Sequence, residues 1–216
     1  RKPGDPGSIP GPHSRTTRTQ VARPGSHFPR NPLGKCGSFT FMVKYSLVSN
    51  FWNNLPKPFF ILAPMEAVTD VVFRHVVKQA GAPDIFFSEF TNATGWVHAG
   101  EKAIGGRLIK TDDEQPIVAQ IWGGEPGDME QLAKHCKALG YHGIDINMGC
   151  PAKSAVKSGG SALIRNPELA AEAIAAAKLA GLPVSVKTRL GYTYIDEWRD
   201  WLAHLLRQDI VNLTIH

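Results

Sequence analysis

The chain has 216 residues, of which 43% are hydrophobic and 20% are charged, and these proportions are typical of a globular protein with one large domain or two small ones. No apolar run approaches the roughly 20 residues that a membrane-spanning helix needs, which argues against a transmembrane protein. The three cysteines, Cys36, Cys136 and Cys150, form no CxxC pair and are too few for a disulfide framework. We therefore expect a reducing, cytoplasmic setting.

The net charge of +5 belongs to the N-terminal segment. Residues 1–41 hold seven of the 24 Lys and Arg residues and a single acid, which leaves residues 42–216 with a net charge of −1. The main part of the chain therefore has no global charge signature of nucleic-acid binding. Residues 1–41 are also rich in Pro and Gly and lack apolar periodicity, so we expect this basic tail to be disordered.

The composition becomes protein-like at Met42. We therefore interpret residues 1–41 as upstream sequence that was wrongly included in the reading frame. A native disordered extension and a targeting segment are the alternatives. The tail lacks the apolar stretch of a secretory signal, so we do not expect export.

From Phe59 onward, short apolar or β-branched runs recur about every 30 residues, which is the size of a strand and helix unit. Near-continuous apolar runs of this kind suit strands buried on both faces of a parallel sheet. The six predicted strands are FFILAP, IFFSEF, PIVAQIWG, GIDINMG, PVSVKTRLG and IVNLTIH, starting near residues 59, 85, 117, 144, 184 and 211.

Helical patterns separate these runs. The first has an apolar face formed by Val72, Phe73, Val76, Val77 and Ala80. The others are a helix with a capping box at Asp128 and Gln131 that ends at Gly140, one from Asn166 and Pro167 to Gly181, one with the stripe Trp198, Trp201, Leu202 and Leu205, and a weaker candidate in TNATGWVHAGEKAI.

Alternating strands and helices without a GxGxxG motif favour a (β/α)8 TIM barrel over a doubly wound α/β sheet. Such a barrel needs eight strands, and the sequence supplies about six strands and five helices. We therefore predict that residues 42–216 are the N-terminal part of an incomplete barrel that lacks its last two units. By itself such a fragment would expose sheet edges, and we expect it to be inactive and to bind a cofactor poorly.

In a barrel of this type the chemistry lies at the carboxyl ends of the strands. Each predicted strand ends in polar or soft groups: Pro64, Met65 and Glu66; Glu89; Gln120; Asn147 and Cys150; Lys187 and Arg189; and His216. Their convergence on one rim predicts a pocket.

The cations of the fifth strand are the strongest sign of a ligand. Alternation puts Lys187 and Arg189 on the same side, and two cations that point into one barrel are costly unless an anionic or electron-rich group meets them. A bound cofactor or substrate is therefore the better interpretation.

Other members of the rim have simpler alternatives. Glu89 could be a structural carboxylate, Gln120 could satisfy backbone groups, and His216 could be a bare terminus. Cys136 falls on a helical apolar stripe and is predicted to be a core residue. The histidines lack metal-ligand spacing, so we predict no metal site.

Five segments together resemble the tRNA-dihydrouridine synthases: APMEAVTD at 63–70, AQIWGG at 119–124, DINMGCPAKSAVKSGGSALIRNP at 145–167, VSVKTRLG at 184–191 and LTIH at 213–216. The resemblance covers residues 56–216. It implies a flavoenzyme that reduces the C5–C6 double bond of particular uridines in tRNA, with FMN as cofactor and NADPH as reductant.

The resemblance also implies roles for individual residues. Cofactor contacts would come from Pro64, Met65, Glu66, Gln120, Lys187 and His216. Asn147 and Arg189 would bind the uracil, and Cys150 would donate a proton to C5. A thiol suits that role because its ordinary pKa of about 8.5 keeps the proton in place at neutral pH.

Two alternatives remain open at the level of sequence. The first is another FMN-dependent barrel oxidoreductase that acts on a free pyrimidine, as a dihydroorotate dehydrogenase does. The second is a non-catalytic RNA-binding remnant.

Overall fold

A computed structural model of the chain describes residues 50–216. The strands are β1 (Phe86–Phe87), β2 (Thr91–Asn92), β3 (Ile117–Trp122), β4 (Gly143–Met148), β5 (Val184–Thr188) and β6 (Leu213–Ile215). The α-helices are α1 (Val71–Gly81), α2 (Ala93–Ala99), α3 (Pro126–Ala138), α4 (Lys153–Val156), α5 (Pro167–Lys178) and α6 (Trp198–Leu206). Short 3-10 helices span Phe51–Asn54, Glu101–Ile104, Gly160–Arg165 and Ile195–Glu197. The predicted disordered tail, residues 1–41, lies outside the described residues.

The strands form one parallel sheet in the order β1-β3-β4-β5-β6, with β2 also paired to β3. Along this path the strands follow one another in chain order and the order never reverses, as it would in a doubly wound sheet. Helices lie between successive strands. The arrangement is a half-barrel, which confirms the predicted partial (β/α)8 TIM-barrel-like fold.

The first two predicted strands are shorter than expected. The run at 59 forms only one bridge, between Ile61 and Ile85. Of the run at 85–90, only Phe86 and Phe87 form a strand, β1, and β2 follows directly after the run. Proline limits the first run, because Pro58 precedes it and Pro64 ends it, and proline has no N–H for a ladder.

The two faces of the sheet differ in polarity. On β4, Ile144, Ile146 and Met148 are fully buried in the main core, which they share with side chains of α3, α5 and α6. Asp145 and Asn147 alternate with them and therefore point to the other face. Cys136 on α3 is fully buried in the main core, as predicted, and burial raises the pKa of its thiol to about 12.

The helix starts follow local capping chemistry. The side chain of Asn166 accepts a hydrogen bond from the Leu169 N–H (3.3 Å), so the predicted start of α5 is confirmed. The predicted capping box at Asp128 is wrong, because α3 begins earlier, at Pro126, and Asp128 is a buried residue of its first turn. The weak helical pattern at 91–104 forms α2, capped by Asn92.

Helix α1 is held by a buried ion pair and not by its apolar face. Val72 and Val76 are 66% and 58% exposed, whereas Arg74 is fully buried. The Arg74 guanidinium donates to both carboxylate oxygens of Glu114 (2.5 and 3.2 Å) and to the carbonyls of Thr69 (2.8 Å) and Ile109 (2.7 Å). This fork ties the loop before α1 to the loop before β3.

We predict that Arg74→Met lowers the free energy of unfolding by about 3–5 kcal/mol, because it leaves the buried Glu114 carboxylate without its cation. Urea denaturation measures the change. Lys78→Met is the matched control on the same helix: it removes the solvent-exposed pair with Asp113 and should lower the free energy of unfolding far less than Arg74→Met does. Equal losses in the two variants would contradict a special role for Arg74.

Candidate functional site

A cavity of about 360 Å³ lies at the carboxyl ends of the strands. It is lined by Ile61, Ala63, Pro64, Met65, Phe87, Asp145, Lys187, Thr214, Ile215 and His216. Four of the predicted cofactor residues, Pro64, Met65, Lys187 and His216, are among them. Its volume falls in the range of about 300–1,000 Å³ that is usual for small-molecule sites. A larger groove of about 700 Å³, between α5 and α6, contains none of the predicted residues.

The parallel register groups the polar side chains into two rows. Gln120, Asp145 and Ser185 are direct partners across β3, β4 and β5. One step toward the rim, Asn147, Lys187 and Thr214 are partners across β4, β5 and β6. Because side chains alternate along a strand, both rows point to the same face.

Asp145 is the buried charge of the lower row. Its carboxylate accepts hydrogen bonds from Gln120 Nε2 (2.6 Å) and Ser185 Oγ (2.6 Å), and the side chain is 1% exposed. Burial raises its pKa to about 6, although the two hydrogen bonds and the nearby Lys187 ammonium act in the opposite direction. Burial also lowers the pKa of Lys187, against the attraction of Asp145 and Cys150.

Asn147 connects the lower row to Cys150. Its Nδ2 donates to Gln120 Oε1 (3.1 Å), and its Oδ1 accepts from the backbone N–H groups of Gly149 (3.1 Å) and Cys150 (3.0 Å). The chain therefore turns tightly after β4, and Cys150, a free and half-buried thiol, stands at the rim directly above the strand.

The segment after Cys150 returns to it. The Cys150 carbonyl accepts from the Ser161 N–H (3.0 Å), and a Cβ atom at Gly160 would lie 2.8 Å from the same carbonyl oxygen. At Gly159, where φ is +153°, a Cβ atom would meet the Gly123 backbone at 2.9 Å, and one at Gly124 would meet the Ser158 carbonyl at 2.7 Å. The glycines thus let this loop pack backbone against backbone on the end of β3.

The loop that supplies Met65 is fixed by its own hydrogen bonds. The Thr69 hydroxyl accepts from the Met65 N–H (2.9 Å) and donates to the Met65 carbonyl (3.0 Å). The buried Glu89 carboxylate accepts from the N–H of Ala67 (2.6 Å), which has a φ of +56°. Glu89 therefore has the structural role that the sequence left open, in holding the cavity wall.

Several predicted residues lie next to the cavity and not in its wall. The Glu66 carboxylate turns toward Arg107 (3.0 Å), and Gln120 is fully buried beside Asp145. Arg189 is half-buried directly after β5. Asp145 was missed by sequence reasoning, although its alternation with Ile144 and Ile146 could have placed it on the same face as Asn147.

No helix within residues 50–216 is long and apolar enough to cross a membrane. Among the same residues, no group of three or more His, Cys, Asp or Glu side chains is arranged to hold a metal ion.

The fold and this site define a half-barrel of the (β/α)8 type with a largely apolar cavity, edged by polar groups, at the carboxyl ends of its strands. The model of the family described as dihydrouridine synthase (Dus) matches residues 61–216. The chain belongs to this family.

Similar curated proteins agree with that assignment. The chain is 59% identical over 172 residues to the "Probable tRNA-dihydrouridine synthase 2" of Bacillus subtilis (strain 168), a match that covers 79% of this chain and 53% of that protein. It is 59% identical over 169 residues to a "Probable tRNA-dihydrouridine synthase" of Staphylococcus epidermidis (strain ATCC 35984), covering 77% and 52%. A protein of the same description from Staphylococcus aureus (strain COL) is 57% identical over the same length. The chain spans about half the length of these curated relatives.

The raised pKa of Asp145 predicts a specific pH dependence of stability. The folded carboxyl group binds its proton more tightly than the unfolded one, so folding takes up a proton between about pH 4 and pH 6, and the free energy of unfolding falls as the pH rises through that window. In Asp145→Asn this contribution is absent. The stability of the variant relative to the original protein should therefore increase by about 3 kcal/mol between pH 4 and pH 7.

Urea denaturation at several pH values measures this difference. Asp209→Asn is the control, because the Asp209 side chain is 89% exposed and its curve should stay parallel to that of the original protein. A parallel curve for Asp145→Asn as well would contradict the prediction.

Proposed function

We propose that the protein to which this chain belongs reduces specific uridines in tRNA to 5,6-dihydrouridine, with FMN as cofactor and NADPH as reductant. The observation that carries the proposal is the grouping of a partly buried cation, Lys187, and a free thiol, Cys150, at one rim beside an apolar-walled cavity, in a chain of the dihydrouridine synthase family. A cytoplasmic location is part of the same proposal.

The residues of the cavity fit an isoalloxazine ring. Pro64, Met65 and Phe87 provide apolar wall, and Lys187 and His216 provide polar contacts at its edge. Partial burial of the Lys187 ammonium is unfavourable, and the attraction of Asp145 offsets only part of that cost. An electron-rich ring beside the ammonium would reduce the cost further. When bound, FMN supplies the hydride for the reaction.

Contacts of Glu66 and Gln120 with the cofactor are also part of the proposal. Glu66 would act at the open edge of the cavity, next to Met65, where Arg107 already orients its carboxylate. Gln120 would act from beneath, through its hydrogen bonds to Asp145 and Asn147.

Cys150 is proposed to hold a proton on Sγ and to donate it to C5 of the uracil, while C6 receives the hydride. The C5–C6 double bond then becomes a single bond, NADPH is oxidised to NADP⁺, and the thiolate regains its proton from water. Asn147 fixes the backbone of Cys150, which supports a donor held in one position. Asn147 and Arg189 are proposed to bind the uracil, which must leave its stack in tRNA to reach the rim.

Replacement of the thiol tests this function. The gene that encodes this chain is expressed in a strain without dihydrouridine synthases, and the dihydrouridine content of its tRNA is measured by mass spectrometry. Cys150→Ala should reduce the initial rate of dihydrouridine formation by at least about 100-fold, the usual contribution of a general acid.

Cys136→Ala is the control, because it removes a thiol that lies in the core on α3 and should leave dihydrouridine formation in place. If the original protein produced no dihydrouridine and altered free pyrimidines instead, a dihydroorotate dehydrogenase-like activity would replace the proposal. Full activity of Cys150→Ala would point to a donor other than this thiol.

The cofactor is tested separately. We expect the protein expressed from this gene to carry a flavin that chromatography after denaturation identifies as FMN. Lys187→Ala should weaken FMN binding at least about tenfold, the effect expected for loss of one charge-assisted contact in a cavity. Lys178→Ala, which removes a surface contact between α5 and the segment after α6, should bind FMN as the original protein does. An equal affinity in the two variants would argue against a flavin next to Lys187.

A further inference from the structure

The hydrogen bonds between Asp145 and Cys150 form one continuous chain. Asp145 accepts from Gln120 (2.6 Å), Gln120 accepts from Asn147 (3.1 Å), and Asn147 accepts from the Cys150 N–H (3.0 Å). We call these four residues the amide relay. Gln120, Asp145 and Asn147 are each less than one-tenth exposed, so water has little access to these bonds.

The groups at the two ends of the amide relay, a backbone N–H and a carboxylate, fix the direction of all its hydrogen bonds. A backbone N–H can only donate, and an ionised carboxylate can only accept. Gln120 must therefore turn its NH2 group to Asp145 and its oxygen to Asn147. Asn147 in turn must give its NH2 group to Gln120 and its oxygen to the backbone.

This direction determines what Asn147 can offer to a ligand. Its oxygen already accepts two bonds, from Gly149 and Cys150, which use its two lone pairs. One of its two N–H bonds is used by Gln120. The only remaining capacity of Asn147 is a single N–H donor.

We propose that Asp145 is a specificity-determining positioning residue, which acts through Gln120 to make Asn147 a donor-only contact for the pyrimidine base. At position 4 of the ring, a donor-only contact accepts the carbonyl oxygen of uracil and rejects the exocyclic amino group of cytosine. The part that concerns the base rests on the proposed function, whereas the direction of the amide relay does not.

A reversal of the amide relay tests the proposal. In Asn147→Asp alone, two carboxylates face Gln120, which has only one NH2 group to give, so one buried acceptor is unsatisfied. Adding Asp145→Asn supplies a donor for the Gln120 oxygen and allows Gln120 to turn over. The negative charge then moves to residue 147, beside its strand partner Lys187, and so remains compensated.

The first measurement is a double-mutant cycle by urea denaturation, with no cofactor or RNA added. Asn147→Asp should lower the folding equilibrium constant. Adding Asp145→Asn to that variant should raise the constant again by at least tenfold, which is within the usual coupling between residues of one network. Hydrogen exchange at the Gly149 and Cys150 amides should be faster in Asn147→Asp than in the original protein. In the double variant it should return to the original rate.

The matched control is Asn92→Asp, an asparagine that caps α2 outside the amide relay and can be replaced by aspartate at little cost. Its effect should add to that of Asp145→Asn without coupling. Additive effects of Asp145→Asn and Asn147→Asp would overturn the proposal.

The second measurement compares uridine monophosphate with cytidine monophosphate as ligands by NMR titration. The original protein should bind the uridine nucleotide about tenfold more tightly, because the amino group of cytosine would face the N–H donor of Asn147. The double variant should lose or invert that preference. An unchanged preference in the double variant would overturn the donor-only role. If coupling is found but tRNA contains no dihydrouridine, the direction of the amide relay stands and the proposed function falls.

Discussion

Two charges that the parallel register brings together constrain the whole rim. Asp145 on β4 and Lys187 on β5 lie one step apart on the same face of the sheet, where the carboxylate is buried and the lysine is half-buried. Burial of either charge without a partner would be costly. Ser185 and Gln120 satisfy the carboxylate, and the ammonium remains at the cavity wall with only part of its cost offset. The carboxylate is thus hydrogen-bonded within the protein, whereas the ammonium still faces the cavity.

The walls of the cavity depend on a second buried pair. Arg74 and Glu114 lie under the loop that supplies Met65, and Arg74 holds that loop through the Thr69 carbonyl. Because Thr69 in turn holds both backbone groups of Met65, the position of one cavity wall is linked to an ion pair that does not itself line the cavity. The stability of α1 and the shape of the site are therefore linked through a few hydrogen bonds.

Much of the architecture was accessible from the sequence. The runs at 117, 144 and 184 form central strands because their apolar residues can be buried on a parallel sheet, and their polar ends then meet at one rim. The run at 59 forms only a single bridge, because Pro58 and Pro64, which bound it, supply no N–H for a ladder. The apolar pattern of α1 did not predict its buried face, because the ion pair of Arg74 required a partner, Glu114, that lies 40 residues away. Asp145 escaped notice for a related reason: the cost and the compensation of a buried carboxylate depend on neighbours from other strands.

The close approach of the two glycine-containing loops limits how this protein can vary in evolution. At Gly124 and Gly159 even an alanine would push a Cβ atom against backbone that has no side chain to move aside. Substitutions at these positions are therefore disfavoured unless both loops change together. Lys153, at the start of α4, and Lys157, directly after it, are exposed and have no such restriction, so substitutions there can alter the charge of this rim while the path of the backbone around Cys150 stays the same.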